Sequence, residues 1–142
     1  MIPLMAAPPL SKVQVIVYCR TPEIRILLLQ RPEDRGHVWQ PVTGNMEPQD
    51  GHYVPAARRE LEEETGISDV LHLVETGLEF HFQKDGRPVR EYLVGAEVAR
   101  FHAVRLSEEH VAFAWLSPSE AEARLTWDIH REGIQAVLLA VK

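Results

Sequence analysis

Val13 to Cys19 is rich in β-branched residues and runs into Arg20-Thr21-Pro22, a pattern that predicts a buried strand closed by a turn. Arg25 to Gln30 reads as a second strand returning from that turn. Arg31 to Val38 is charged and contains Pro32 and Gly36, hence a loop, and Trp39 to Thr43 leads into Gly44 and a further loop with Pro48 and Gly51. A helix follows from about His52 to Thr65, with Pro55 near its start, Ala56, Ala57 and Leu61 as an apolar stripe, and Gly66 as its stop. Leu71 to Gln83 alternates loosely, Lys84-Asp85-Gly86-Arg87-Pro88 carries hairpin chemistry, and Val89 to Ala99 forms the returning strand. After the short strand Val111 to Leu116, Ser117-Pro118-Ser119-Glu120 caps a short helix. Ile134, Val137, Leu138 and Val141 then place a last helix over Ile129 to Val141. Strands, a helix, more strands and two helices predict an α/β chain with a mixed sheet packed between helices. The expected organisation is a flexible arm over residues 1–12, where Pro3, Pro8 and Pro9 interrupt any regular element, and one domain over residues 13–142.

Composition narrows the function classes. At 142 residues and 45% hydrophobic, the chain can bury one real core. A net charge of -6 without a basic stripe argues against nucleic-acid binding, so a polyanionic partner has to be met by local basic groups or metal. The single Cys19 excludes an intramolecular disulfide and suits a reducing compartment. The first residues lack the basic and apolar parts of a signal peptide, and no apolar run approaches the roughly 20 residues of a membrane span. Together these predict a cytoplasmic protein. The seven histidines show no zinc spacing, and His110 and His130 are the two expected near a site.

The chemistry is concentrated in Arg59-Glu60-Leu61-Glu62-Glu63-Glu64-Thr65-Gly66-Ile67, four carboxylates within five positions of the first helix. At roughly 100° of rotation per residue, Glu60, Glu63 and Glu64 share an arc of about 100° and Glu62 lies roughly opposite. Like charges so placed oppose one another and the helix dipole. A divalent cation reverses that sign, and Mg²⁺ or Mn²⁺ takes carboxylate oxygens. Taken alone, the same run is also compatible with a solvated acidic face.

Gly44, Asp50 six residues later, and Arg59 to Ile67 together resemble the Nudix box, Gly-x5-Glu-x7-Arg-Glu-U-x-Glu-Glu-x-Gly-U with U aliphatic. Asp50 replaces the first Glu, and eight residues rather than seven separate it from Arg59, an insertion expected to enlarge the loop before the helix. The resemblance implies the Nudix fold, an α/β/α sandwich, and hydrolysis of a phosphoanhydride. It implies Glu60 and Glu64 as Mg²⁺ ligands, Glu63 as a third ligand or catalytic group, the Gly44 carbonyl completing the shell, and Mn²⁺ as a possible substitute. Arg59 would orient the ligand carboxylates through its fork, the plainer reading being an ion pair with Glu63. Asp50, shorter than the usual Glu, would support the box through that arginine or be displaced by the insertion.

Leu29-Gln30-Arg31, Trp39-Gln40-Pro41-Val42-Thr43-Gly44 and Glu109 to Leu116 are similar to the bacterial dihydroneopterin triphosphate pyrophosphatase branch of the superfamily. By that resemblance Glu109 is a further metal and catalytic carboxylate, and Arg31 and Thr43 contact substrate. Trp39 could stack on a pterin or purine ring or be a core residue at a strand start. The implied reaction releases pyrophosphate from dihydroneopterin triphosphate or a deoxynucleoside triphosphate, with no membrane or nucleic-acid partner and with a homodimer possible. The alternatives are a hydrolase of diadenosine polyphosphates or oxidised nucleotides, an isopentenyl diphosphate isomerase-like enzyme, which would need a cysteine in its site, and a non-catalytic nucleotide sensor.

Overall fold

In the computed structural model, residues 9–142 are described; the expected arm lies largely outside them, and strand β1 begins at Leu10, so residues 10–12 belong to the sheet. The chain order is β1 (Leu10–Cys19), β2 (Arg25–Gln30), β3 (Trp39–Gln40), β4 (Val42–Asn45), α1 (Tyr53–Thr65), β5 (Val70–Lys84), β6 (Arg87–Val98), β7 (Ala112–Leu116), α2 (Pro118–Arg124) and α3 (Asp128–Ala140). All seven strands join one sheet.

β1 lies at its centre. It pairs in parallel with β6 from Leu10↔Val89 to Tyr18↔Glu97, and along its other edge it pairs antiparallel first with β4 and then with β2. β2 in turn carries β3 and β7, and β5 closes the far edge as a hairpin with β6. The Asp85-Gly86 turn of that hairpin takes positive φ at both residues, as a tight two-residue connection requires.

Side-chain alternation along β1 divides the interior in two. Val13, Val15, Val17 and Cys19 face α1, where they meet Ala56, Ala57, Leu61 and Ile67 in a dry cluster. Ile16 and Tyr18 face α2 and α3, packing with Leu93, Ala121, Leu125, Ile134 and Val137. Each fully buried Val, Leu or Ile contributes about 1.5–3 kcal/mol, so both helical layers are anchored to one strand. The result is the α/β/α sandwich with a mixed sheet.

Helix α1 begins at the cap His52, whose ring accepts the Val54 N–H at 3.2 Å, and ends at Gly66, left-handed at φ 77° with its N–H on the Glu62 carbonyl. The loop before it holds one 3-10 turn, Pro48–Asp50, closed by reciprocal Glu47 and Asp50 contacts, and then Gly51 at φ 69°. The extra residue of the box is taken up in this loop. No helix among the described residues is long and apolar enough to cross a membrane.

Candidate active site

α1 lies on its apolar stripe, which turns Glu60 and Glu64 inward toward the sheet and leaves Glu62 and Glu63 exposed. Glu60 rests against Gly44 of β4, where a Cβ would overlap the Glu60 carboxyl group. Any larger residue there would have to push the Glu60 carboxyl aside. Burial pushes the Glu60 carboxyl up to about 7, against the pull of the neighbouring Arg59.

Arg59 gathers the first half of the site. Its fork donates to Asp50 at 2.9 and 3.0 Å, and further bonds reach Glu60 and Glu63, both at 3.0 Å, and the Asn45 carbonyl at 2.9 Å. Asp50 is therefore not displaced by the insertion, and the Arg59 bonds hold its carboxyl below the usual range. Both readings of Arg59 coexist, since the ion pair with Glu63 is made by the same group that orients Glu60.

Glu64 is held by the loop before β7. Ser107 Oγ donates to Glu64 Oε2 at 2.9 Å and accepts the Glu109 N–H at 3.2 Å. His110, buried, brings Nδ1 to 2.8 Å from the same carboxylate oxygen, off the line of a full hydrogen bond. Burial pushes Glu64 up, and His110, Glu109 and Ser107 together outweigh it, leaving the carboxyl below its ordinary value. Glu109 moves the other way, raised first by its hydrogen bond to Glu64 and then by burial. The opposite directions of the two carboxyls follow from their contact: the positively polarised groups gather on Glu64, and Glu109 faces its charge.

The arrangement fits a hard divalent cation. All the donors are carboxylate or carbonyl oxygens, Glu60 sits against the glycine where a methyl group would fall, and Glu109 is raised by the Glu64 carboxylate beside it. Among the described residues no three acidic or histidine side chains are gathered at ligating distance, because Arg59 occupies Glu60 and Glu63 while His110 and Ser107 occupy Glu64.

A cavity of about 500 Å³ lies on the opposite face, between the sheet and the start of α3. Arg31 and Thr43 line it, together with Gln40, which contacts His110 Nε2 at 3.1 Å and so links the cavity to Glu64. Trp39 does not line it. Its ring packs beside the α2–α3 cluster with the Arg124 guanidinium 5.0 Å above, whereas the aromatic rings at the cavity are Phe82 and Trp127, the latter 48% exposed. Trp127 went unnoticed in the sequence, although its place just before the last helix was a usable signal. Cys19 is buried on β1, and its thiol donates to the Thr21 carbonyl at 3.4 Å.

A buried glutamate packed against a glycine, bonded to one arginine and followed one turn later by a second buried glutamate, is thus carried on a mixed sheet between helices. The NUDIX domain model matches residues 10–137, and the chain belongs to the Nudix family, whose hydrolases act on pyrophosphate bonds and generally need a divalent metal. It is 36% identical over 136 residues to a Myxococcus xanthus protein named octanoyltransferase; those residues are 92% of this chain and 37% of that protein, so the chain spans little more than a third of this relative. It is also 36% identical over 101 residues to the asymmetrical bis(5'-nucleosyl)-tetraphosphatase of Rattus norvegicus, covering 69% of this chain and 67% of that one. Among solved structures, a C. elegans Ap4A hydrolase in a binary complex superposes with a TM-score of 0.82 at 22% identity, covering 93% and 97% of the two chains. The E. coli dihydroneopterin triphosphate pyrophosphohydrolase gives a TM-score of 0.78 at 24% identity over 88% and 92%. At these identities the two structures share the fold.

Proposed function

We propose that the protein is a Mg²⁺-dependent pyrophosphohydrolase that cleaves dihydroneopterin triphosphate or a deoxynucleoside triphosphate to a monophosphate and pyrophosphate. The observation that carries this reading is the cavity between the sheet and the start of α3, whose volume of about 500 Å³ suits one ring system with its sugar or side chain. Lys12, Arg31 and Lys84 supply positive charge along it, and Thr43 joins it to Gly44, where Glu60 rests. A substrate ring against Trp127 leaves its phosphates to run past Arg31 toward Glu109, whose carboxyl already senses the Arg31 charge.

Mg²⁺ held by Glu60, Glu64 and Glu109, with Glu63 and the Gly44 carbonyl at the same face, would neutralise phosphate charge and make water more acidic; Mn²⁺ has the same preference for oxygen. The chain's own groups do the rest. Arg59 fixes Glu60, and His110 with Ser107 fixes Glu64. Glu109, with its raised carboxyl, is suited to take the proton of the attacking water. The buried lone thiol and the net charge of -6 support a small-molecule substrate in a reducing compartment.

A second reading, an asymmetrical dinucleoside tetraphosphate hydrolase, is favoured by the 36% identity to the rat enzyme of that name. Product analysis separates the two. Incubation with dihydroneopterin triphosphate, the four deoxynucleoside triphosphates and diadenosine tetraphosphate should release pyrophosphate from the first group with the higher kcat/KM. Faster formation of a mono- and a triphosphate from the dinucleotide would overturn the first reading in favour of the second.

A further inference from the structure

The cavity floor is polar where the sheet face beneath it would otherwise be apolar. Ile16, Tyr18 and Leu93 line that face under α2 and α3, and toward the cavity it continues as Gln14, Lys12 and Glu91. Gln14 is fully buried and Glu91 is 2% exposed. Gln14 Nε2 donates to Glu91 Oε2 at 3.0 Å and approaches the Ile129 carbonyl at 3.4 Å, while its own Oε1, lying against Gly133, has no partner. Lys12 is the register neighbour of Glu91 in the parallel β1–β6 pair, so the two side chains leave the same face side by side. His130 closes the cavity from α3, buried and with Nδ1 unpartnered. A fold gains little from a buried carboxylate beside a lysine and two unpartnered polar atoms, whereas apolar residues of the same size would pack without desolvating charge.

Gln14, Glu91 and His130 stand apart from the carboxylates of α1, on the sheet face that packs under α2 and α3. Resting on the nucleotide-type reading above, we infer that Glu91 and Lys12 read the edge of the substrate's ring and select an amino-oxo pyrimidine edge, as in guanine or a pterin, over adenine. The donor pattern decides this. Guanine and pterin present a ring N–H and an exocyclic amino group side by side, a pair that one carboxylate accepts in a fork, with a carbonyl oxygen alongside for the lysine. Adenine presents a ring acceptor in place of the N–H, which meets the carboxylate with a lone pair. Burial pushes Glu91 upward and Gln14 and Lys12 pull it back only in part, so the carboxyl gains from a ligand that donates to it. Burial also lowers His130 to about 4, which keeps its ring neutral near pH 7 and able to hydrogen-bond the ligand without adding charge.

The experiment uses the full chain with Mg²⁺. GMP and AMP binding are measured by calorimetry, and kcat/KM is measured for GTP, ATP and dihydroneopterin triphosphate, for the wild type and Glu91→Gln. The expected result is GMP binding at least about tenfold tighter than AMP, a GTP-over-ATP ratio of about 10² in kcat/KM, and at least a tenfold collapse of both ratios in Glu91→Gln, since a site built for a hydrogen-bonding edge rejects its analogue by about that much or more. Dihydroneopterin triphosphate against GTP tells which carrier of the edge is preferred. Equal binding of GMP and AMP by the wild type overturns the inference without any variant, and so does an equal loss for both ligands in Glu91→Gln. If GMP outbinds AMP while no triphosphate is hydrolysed, the proposed reaction fails and the ring-reading role stands.

Discussion

The two faces of β1 carry different kinds of polarity. Toward α1 the strand is apolar from Val13 to Cys19, and the charged groups of the site come from the helix and from the loops before it and before β7. Toward α3 the strand itself turns polar, at Lys12 and Gln14, beside Glu91 of its parallel neighbour. The carboxylates on α1 are therefore mounted on a dry support that their replacement leaves intact. The groups facing the cavity are part of the sheet, so their identity is coupled to its packing. Chemistry and ring selection are separated by the thickness of one strand, and Gln40 to His110 to Glu64 is a contact path between them.

Substitutions on the α1 face should therefore cost activity and spare the fold, in graded amounts. Glu64→Gln keeps the shape and the Ser107 contact but removes the charge, and kcat should fall by about 10³ or more at an unchanged melting temperature. Gly44→Ala drives a methyl into the Glu60 carboxyl and should lower kcat/KM by about 10², the size of effect expected from a displacement of roughly 1 Å. His110→Asn leaves Glu64 with Ser107 alone on that side; steady-state kinetics with a metal titration should show a loss of about 10–100-fold, shared between kcat and metal affinity.

The smallest effect is on stability and depends on pH. The folded value of Glu60, about 7, lies above its ordinary 4.5, so the folded protein binds the extra proton between those limits. Its stabilising contribution is complete below the unfolded value and is lost as pH rises through about 7. Without metal, the wild type should lose a few degrees of Tm relative to Glu60→Gln between pH 5.5 and 8, since about 1 kcal/mol moves Tm by roughly 3–5 °C in a chain of this size. Divalent metal should cancel the loss. A Tm difference that does not change with pH would show that Glu60 is not strained by its burial.

The sequence revealed one face far better than the other. The α1 bounds, the inward turn of Glu60 and Glu64 and the isolation of Glu62 follow from helical spacing, because one repeating angle sets which residues share a side. Asp50 was ambiguous for a physical reason: its bond to Arg59 spans nine positions across a loop whose 3-10 turn and His52 cap no periodicity encodes. Trp39 drew attention by its neighbours in sequence, yet strand pairing turns it to the α2–α3 core, and Trp127 arrives at the cavity from a distant helix start. Lys12 and Glu91 are 79 positions apart and meet only through the parallel β1–β6 register, which no local pattern specifies.

The central claim is that Glu60, Glu64 and Glu109 take up a divalent cation in exchange for protons. Calorimetric titration of Mg²⁺ and Mn²⁺ in buffers of different ionisation heat measures this directly, through the protons released on binding. Release of a substantial fraction of a proton at pH 6.5, falling close to zero at pH 8.5 and reduced in Glu60→Gln, is the predicted result. Cation binding without proton release at pH 6.5, or binding unaltered by loss of Glu60 and Glu64, would contradict it.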